Sequence, residues 1–493
     1  MHIELTRKSG MGLTGQIVQS FRDRIESGLM RPGEKLPSVR HLSAFLKISQ
    51  VTVSKAYGEL ESGGFITCTQ GRGCFVAAAA EQAPARPDSS EVWQLAVPDY
   101  LPRAQVWKHY NEGEEGMYRF NTAAIQPKLL PSAEIGRNIQ RLIAEDPSLI
   151  GTYGPFQGDA GLLRTLSGYL ADRGIDAGPE HVLVTSGSQQ GIDLTARTFV
   201  GPGDTVYMEG PSYTGAIDVF ASRGAKIITV PVDGEGMRTD LLTRLCDSHP
   251  PKVIYTIPAF HNPTGVTMSM RRRRELLQIA ESYRCLIVED DPFGDLHFGE
   301  APPRTLKSMD REGHVIYLKS FSKVLSPGCR VACAVASGSL ISRLIAAKAT
   351  ADLGSPLLPQ KAIEPLLARK RYDAYLGGLR ETLAARCRLV TGLLKQHAPA
   401  AVSWSEPAGG LNLWLTLPAW ADSGDLYREA LKENVVFLPG AACYAAEPQR
   451  NHLRLSFTQM EEEELREGTL RLCGLLHRCL AEQRESRGMV PTL

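Results

Sequence analysis

The chain has 493 residues, more than one compact core of ordinary size holds, so two or three domains are expected. Hydrophobic residues make up 43% and charged residues 22%, which excludes wholesale disorder, and no uninterrupted apolar stretch reaches the length of a membrane span. The net charge of +1 hides an asymmetry: residues 1–77 hold ten Lys/Arg against six Asp/Glu, and the remainder 45 against 48. A modestly basic front end suits a polyanionic partner. The ten cysteines lack CxxC pairs and His neighbours at metal-ligand spacing, with Cys329 and Cys333 merely flanking one apolar run. With the polar start MHIELTRKSG, reduced thiols, no metal site and a soluble, cytoplasmic chain are the expectation.

The front end reads as two short helices after a longer one. In LTGQIVQSFRDRIESGLM, Ile17, Val18, Phe21, Ile25 and Leu29 recur at helical spacing. RPGEK breaks that helix. A second helix is predicted with Val39, Leu42, Phe45 and Leu46 on its apolar face. A polar interruption at Ile48–Ser49 then leads into a third, with Val53, Tyr57 and Leu60 inward. Two short helices with a tight join make a helix-turn-helix, whose second member enters a major groove. FITCTQGRGCFV follows as two strands joined by Gly71, Arg72 and Gly73, a wing. Ser38, Arg40, Thr52, Ser54, Lys55, Arg72 and Gly73 are left outward as candidate DNA contacts, hydroxyls and cations for phosphates and the third helix for base edges. The pattern LPSVR, then VTVSKAYGEL, then GRG resembles the winged helix-turn-helix of the GntR regulators and covers most of residues 11–77.

Residues 77–91, AAAAEQAPARPDSSE, are small, polar and proline-bearing, and read as a linker; we expect the connector to run over 78–117. From 118 to 490 apolar strand candidates alternate with helical stretches: VLVTS (182–186), TVYME (205–209), KIITVPV (226–232), VIYTIP (253–258), LIVED (286–290), VIYLKS (315–320) and VACAVA (331–336). That alternation predicts an α/β domain around a mainly parallel sheet. A helix-rich stretch (340–396) precedes strands near VSW, GLNLWLTLP, VVFLP and HLRLSF, which predict a smaller α+β lobe.

In such sheets ligands bind outside the carboxyl ends of the strands. TSGSQQG follows one strand and opens a helix, so its amides and the hydroxyls of Ser186 and Ser188 could receive a phosphate. EGPSY ends a second and offers the ring of Tyr213. HNPTG ends a third and presents Asn262, although alone it reads as an Asx turn. VEDDPF ends a fourth with Asp290 and Asp291. SFSKVLSPGCR ends a fifth: Lys323, after an apolar strand, should be partly buried and hence partly neutral, the form that attacks an aldehyde. Ser320, Ser322 and Arg330 could converge on a dianionic phosphate. Together these groups specify a ligand with a phosphate, an aldehyde, a flat ring, a ring oxygen and a ring cation, and pyridoxal 5′-phosphate has all five.

Residues from about 118 to 484 resemble a fold type I aminotransferase of the kynurenine/α-aminoadipate branch, with the quoted motifs in the expected order and Asp290 33 residues before Lys323. The resemblance implies that Lys323 forms the internal aldimine and that Asp290 pairs with the pyridine nitrogen, the two catalytic positions. It implies that Tyr213 stacks on the ring, Asn262 bonds the ring oxygen, and Ser188, Gln189, Ser320, Ser322 and Arg330 hold the phosphate. Tyr153, in TYGPFQG, matches a tyrosine that reaches the neighbouring subunit's phosphate. Arg454, in HLRLSF, matches the arginine that grips an amino-acid carboxylate. One departure stands out: where the family has a tyrosine shortly after the aspartate, this chain has Pro292 and Phe293, so cofactor binding is expected to survive while rapid transamination is in doubt.

A winged helix joined to such a domain resembles the MocR-type subfamily of GntR regulators. That resemblance implies a homodimer that binds double-stranded promoter DNA at two half-sites and senses an amino acid, an amine or the cofactor itself through Lys323. A working aminotransferase with an ancillary DNA-binding module is the alternative, and a repressor with a vestigial site a third.

Overall fold

The computed structural model describes residues 12–26, 30, 33–46, 48–69, 73–77 and 116–486. The chain divides into two compact units, Met1–Val106 and Trp107–Leu493. The linker expected over 78–117 falls almost wholly outside the described residues, as does Arg72.

In the first unit, α1 (Leu13–Glu26), α2 (Val39–Leu46) and α3 (Gln50–Ser62) precede two antiparallel strands, β1 (Ile66–Thr69) and β2 (Gly73–Val76). Ile17, Phe21, Leu42, Val53, Tyr57 and Leu60 meet in one core, and the Tyr57 hydroxyl ties α3 to the Pro37 carbonyl at 2.8 Å. α3 begins where Ser49 caps it, its hydroxyl accepting from the Thr52 amide at 3.1 Å. Two expectations are corrected here. Phe45 is 57% exposed, because on an eight-residue helix the inward face passes through Leu42 and Ser43; the buried Ser43 hydroxyl donates to the Ile48 carbonyl and tightens the turn instead. Of the ten cysteines, eight are free, but Cys68 and Cys74 are disulfide-bonded rather than reduced. They oppose each other in the β1–β2 register, a neighbourhood that a search for CxxC spacing does not reveal.

The second unit is built on an eight-stranded sheet. In spatial order its strands are Val182–Thr185, Ala332–Val335, Val315–Ser320, Leu286–Asp291, Val253–Thr256, Thr205–Gly210, Lys226–Asp233 and Gly236–Met237. The central pairings are parallel; Ala332–Val335 runs antiparallel to both neighbours, and Gly236–Met237 is an antiparallel edge. Both faces are covered, which is why the strands read as continuous apolar runs rather than alternating ones. Ile316, Leu318 and Val288 enter one core cluster, while Val315, Tyr317 and Ile287 enter clusters on the other face. The smaller lobe holds a four-stranded sheet in the order Ser403–Trp404, Asn412–Thr416, His452–Ser456, Leu438–Pro439. A short parallel pairing of Tyr118–Arg119 with Val435–Val436 joins the start of this unit to that lobe, a contact with no signal in the local sequence. Among the described residues no helix is long and apolar enough to cross a membrane, and no group of three His, Cys, Asp or Glu could hold a metal ion.

Candidate functional site

Parallel register brings the strand ends together. Asp290 lies opposite Leu318, Glu289 opposite Thr256, and Ser320 and Thr185 both lie opposite Ala332. The loops carrying Ser186–Ser188, Tyr213, Asn262, Asp290 and Ser320–Lys323 therefore leave one edge of the sheet. The polar residues that the sequence placed at five strand ends share one pocket because those ends are level.

On one side stand groups that could receive an anion. The helix Ser188–Phe199 opens there, and its first amides have no intrahelical acceptor. Gly187 precedes it with φ 89°, and a Cβ at that position would overlap the Arg330 guanidinium. Arg330, itself at φ 51°, donates to the Ser322 hydroxyl and to the Ser186 carbonyl, each at 3.2 Å. Ser320 and Ser322 are buried beside it, the Ser320 hydroxyl accepting from the Ser322 amide at 3.3 Å. Gln189 is placed differently from a simple phosphate ligand. Its side chain accepts from the Tyr213 hydroxyl at 3.0 Å and donates to the Gly215 carbonyl at 3.0 Å, so it sets the tilt of that ring and leaves its backbone amide for the anion.

On the other side stand the ionisable groups. Asp290 is buried, and burial pushes its carboxyl up to about 7 even though the Tyr255 hydroxyl donates to it at 2.7 Å. Its second oxygen, Oδ1, has no partner among the described residues. A buried carboxylate oxygen left bare is costly unless a cation or donor faces it, and a pyridinium N–H meets that need. Burial, together with the nearby charges of Arg454 and Arg330, brings Lys323 down to about 8, while its ammonium donates to the Ala123 carbonyl at 2.7 Å. Asn262 accepts from Arg454 at 3.0 Å, leaving its amide nitrogen to donate. Arg454 also donates to the Asn121 carbonyl, and its Nε has no partner among the described residues.

Several members of the site carry no mark in the sequence. Tyr255 lies inside an apolar run, and only the register that sets it beside Val288 puts its hydroxyl on Asp290. Glu209, Thr256 and His261 form a buried group beneath the pocket: Thr256 donates to Glu209, and the His261 ring lies 3.9 Å from Glu209. Burial raises Glu209 to about 7 and lowers His261 to about 3, so the imidazole is neutral. Asn412, opposite Ser456 on the face of the small sheet that carries Arg454, is buried with neither amide atom partnered among the described residues. Asp291, adjacent to Asp290 in sequence, faces away and binds Tyr317 and Lys319. Phe293 is buried with the core rather than presenting a polar group. Tyr153 is 85% exposed, near Ile150, Phe156 and Leu353, which are also exposed.

Of the candidate DNA contacts, those within the described residues lie at the start of α2, on α3 and at the start of β2. Arg40, Ser54 and Lys55 are exposed, Thr52 is bonded to Ser49, and the Ser38 hydroxyl accepts from the His41 amide to cap α2. Gly73 is exposed at φ 104°. Val51, at the start of α3, is 76% exposed, an apolar group suited to a thymine methyl.

Comparison with known proteins matches residues 118–472 to the aminotransferase class I and II family and residues 13–76 to the gntR family of bacterial regulatory proteins. The HTH-type transcriptional regulator YisV of Bacillus subtilis is 32% identical over 94% of this chain and 96% of its own length. TauR, an HTH-type transcriptional regulator of Rhodobacter capsulatus, is 30% identical over 94% of this chain and 96% of its own. A crystal structure of LysN, the α-aminoadipate aminotransferase of Thermus thermophilus, in complex with N-(5′-phosphopyridoxyl)-L-leucine, superposes with a TM-score of 0.74 at 35% identity, covering 79% of this chain and 99% of LysN.

Proposed function

This chain belongs to the aminotransferase class I and II family and joins to it a GntR-type module, the MocR-type architecture, and on that premise we propose how its pocket serves it. It is a DNA-binding transcriptional regulator dependent on pyridoxal 5′-phosphate. Residues 1–77 form the DNA-reading module, 78–117 the connector and 118–490 the cofactor-binding part. The observation that carries the reading is the bare, buried oxygen of Asp290 in one pocket with a lysine brought down to about 8 and an Arg-Ser-amide cradle.

The residues fit the cofactor. Bound there, it supplies an aldehyde that condenses with a primary amine and a ring that draws electrons from that carbon. Lys323 offers the amine, and its lowered proton affinity supplies a neutral fraction near pH 7. Asp290 holds a proton at the ring nitrogen, with Tyr255 steadying the carboxylate. Ser188, Ser320, Ser322, Arg330 and the Gln189 amide take the phosphate; Tyr213 backs the ring, held by Gln189; Asn262 donates to the ring oxygen. Arg454, whose Nε has no partner among the described residues, receives the carboxylate of an amino-acid effector. The exposed Ile150, Tyr153, Phe156 and Leu353 support a homodimer in which Tyr153 reaches the partner's phosphate, because exposed apolar clusters of this kind call for a cover. Ser38, Arg40, Thr52, Ser54, Lys55, Arg72 and Gly73 contact the operator, with one module per half-site.

The test is a footprint of the purified protein on the DNA upstream of its own coding sequence, with and without pyridoxal phosphate and a panel of amino acids. A footprint that changes with cofactor or amino acid, with a borohydride-fixed adduct at Lys323, is expected. No footprint under any condition would overturn the regulator reading. Steady turnover of an amino donor with an oxo-acid would instead favour a working aminotransferase.

A further inference from the structure

A second cavity, of about 630 Å³, lies against the face of the main sheet opposite the cofactor pocket. Asp290 lies on the face of its strand that carries Val288, while its neighbours Glu289 and Asp291, and Tyr317 on the adjacent strand, line this other space, as alternation along a strand requires. None of the residues assigned above to the cofactor lines it, and its volume is that of a small-molecule site.

The floor is densely charged and internally satisfied. Asp291 accepts from the Tyr317 hydroxyl and the Gly294 amide, each at 2.6 Å, and from the buried Lys319 at 3.4 Å. Asp295 accepts from Tyr169 at 2.7 Å, Tyr372 at 2.9 Å and Arg173 at 2.6 Å, and meets Lys319 at 3.1 Å. Burial alone would raise Asp295, yet the charges of Lys319 and Arg173 hold it well below the usual carboxylate range. Glu289 takes the amides of Leu306 and Lys307, and Arg273 is spent on three backbone carbonyls, those of Pro258, Met268 and Arg304. These acids already have their cations and donors, so the floor has no call for a metal ion.

The mouth is different. Arg380 uses only Nε, on the Asp295 carbonyl at 2.7 Å, and its two terminal nitrogens have no partner among the described residues. Arg304 spends one nitrogen on the Ser308 carbonyl at 3.1 Å, and Arg369 one on Asp172 at 2.7 Å. Three guanidinium groups with open donors surround the cavity, and among its lining carboxylates only the exposed Asp373, beside Arg380, lacks an ion pair or hydrogen bond among the described residues; such forks match carboxylate and phosphate oxygens. The Tyr169 and Tyr372 rings, Pro302 and Pro303 add apolar surface beside them, which favours an organic anion over an inorganic one.

We propose that this cavity is a second ligand site that takes a small organic anion, a carboxylate or a phosphate monoester, held by Arg380, Arg304 and Arg369. One peptide bond separates its floor residue Asp291 from the cofactor's Asp290, so the two sites share a strand.

The experiment is calorimetric titration of the full chain, saturated with pyridoxal phosphate, with glutarate and separately with glycerol phosphate; whichever binds identifies the oxyanion class. At least one probe is expected to bind once per chain. Arg380→Met and Arg304→Ala should each weaken it by up to about 5-fold, as loss of a partly exposed ion pair does, while Arg454→Met, on the cofactor side, leaves it unchanged. Should Arg380→Met fail to fold, Arg304→Ala, which loses only a bond to one exposed carbonyl, carries the test. The proposal is overturned if neither probe binds, if the arginine substitutions at the mouth leave affinity intact, or if Arg454→Met abolishes it.

Discussion

Removing one hydroxyl, by Tyr255→Phe, tests the assignment of Asp290 more sharply than removing the carboxylate itself. The hydroxyl donates to Asp290 at 2.7 Å within a buried pocket, and the ring keeps its packing against Phe220 in the variant. A hydrogen bond to a buried charge contributes about 1.5–3 kcal/mol. Without cofactor, Asp290 has a proton affinity near 7, so at about pH 7 the free protein is roughly half ionised. In the variant that value rises and the free protein escapes the penalty by staying protonated. The complex, which keeps the carboxylate facing a pyridinium, cannot. Half-ionisation recovers only about 0.4 kcal/mol, so cofactor affinity should fall by about 1.1–2.6 kcal/mol, or about 6- to 80-fold, at about pH 7. At about pH 9 the free wild-type carboxylate is ionised and loses the same bond as the complex, so the deficit should shrink to about threefold or less. The assay is equilibrium titration of pyridoxal phosphate, followed by absorbance, with the variant-to-wild-type ratio taken at each pH so that other titrating groups cancel. A deficit equal at both pH values, or absent at about pH 7, would refute the reasoning.

Other outcomes follow from single contacts. Phe293→Tyr should raise the rate of half-transamination with an amino-acid donor, and an unchanged rate in stopped-flow spectra would remove Phe293 as the cause of slow chemistry. Ser49→Ala should destabilise the N-terminal unit by about 1 kcal/mol in denaturant melts, through loss of the α3 cap. Arg40→Ala and Lys55→Ala should each weaken operator binding similarly across sequences and reduce the slope of log K against log salt by about 1. Ile150→Asp should shift the protein toward a monomer in sedimentation, since it places a charge in the exposed apolar cluster; an unchanged oligomeric state would remove that surface from the dimer.

Much of this protein is determined locally and so is readable in the chain. Strands covered on both faces are mainly apolar, so LIVED and VIYLKS declare themselves, with their polar residues gathered toward the carboxyl ends. Asp290, Asn262, Lys323 and the serines are each ordinary taken singly, and it is their recurrence after successive strands that marks a ligand site; helical spacing with a tight join brings out the DNA-reading module. Tertiary structure decided whatever depends on register between distant segments. Tyr255 meets Asp290 across 35 residues, and the Gln189 side chain reaches Tyr213 and the Gly215 carbonyl, 24 and 26 residues away. Cys68 faces Cys74 only once β1 and β2 pair, and Phe45 turns outward because Ser43 is needed inside. The rear cavity is the plainest case. Arg173, Asp295, Lys319 and Arg380 lie far apart in sequence, each an ordinary charged residue in its own window, and burial alone forces them into one network because no isolated charge is stable there.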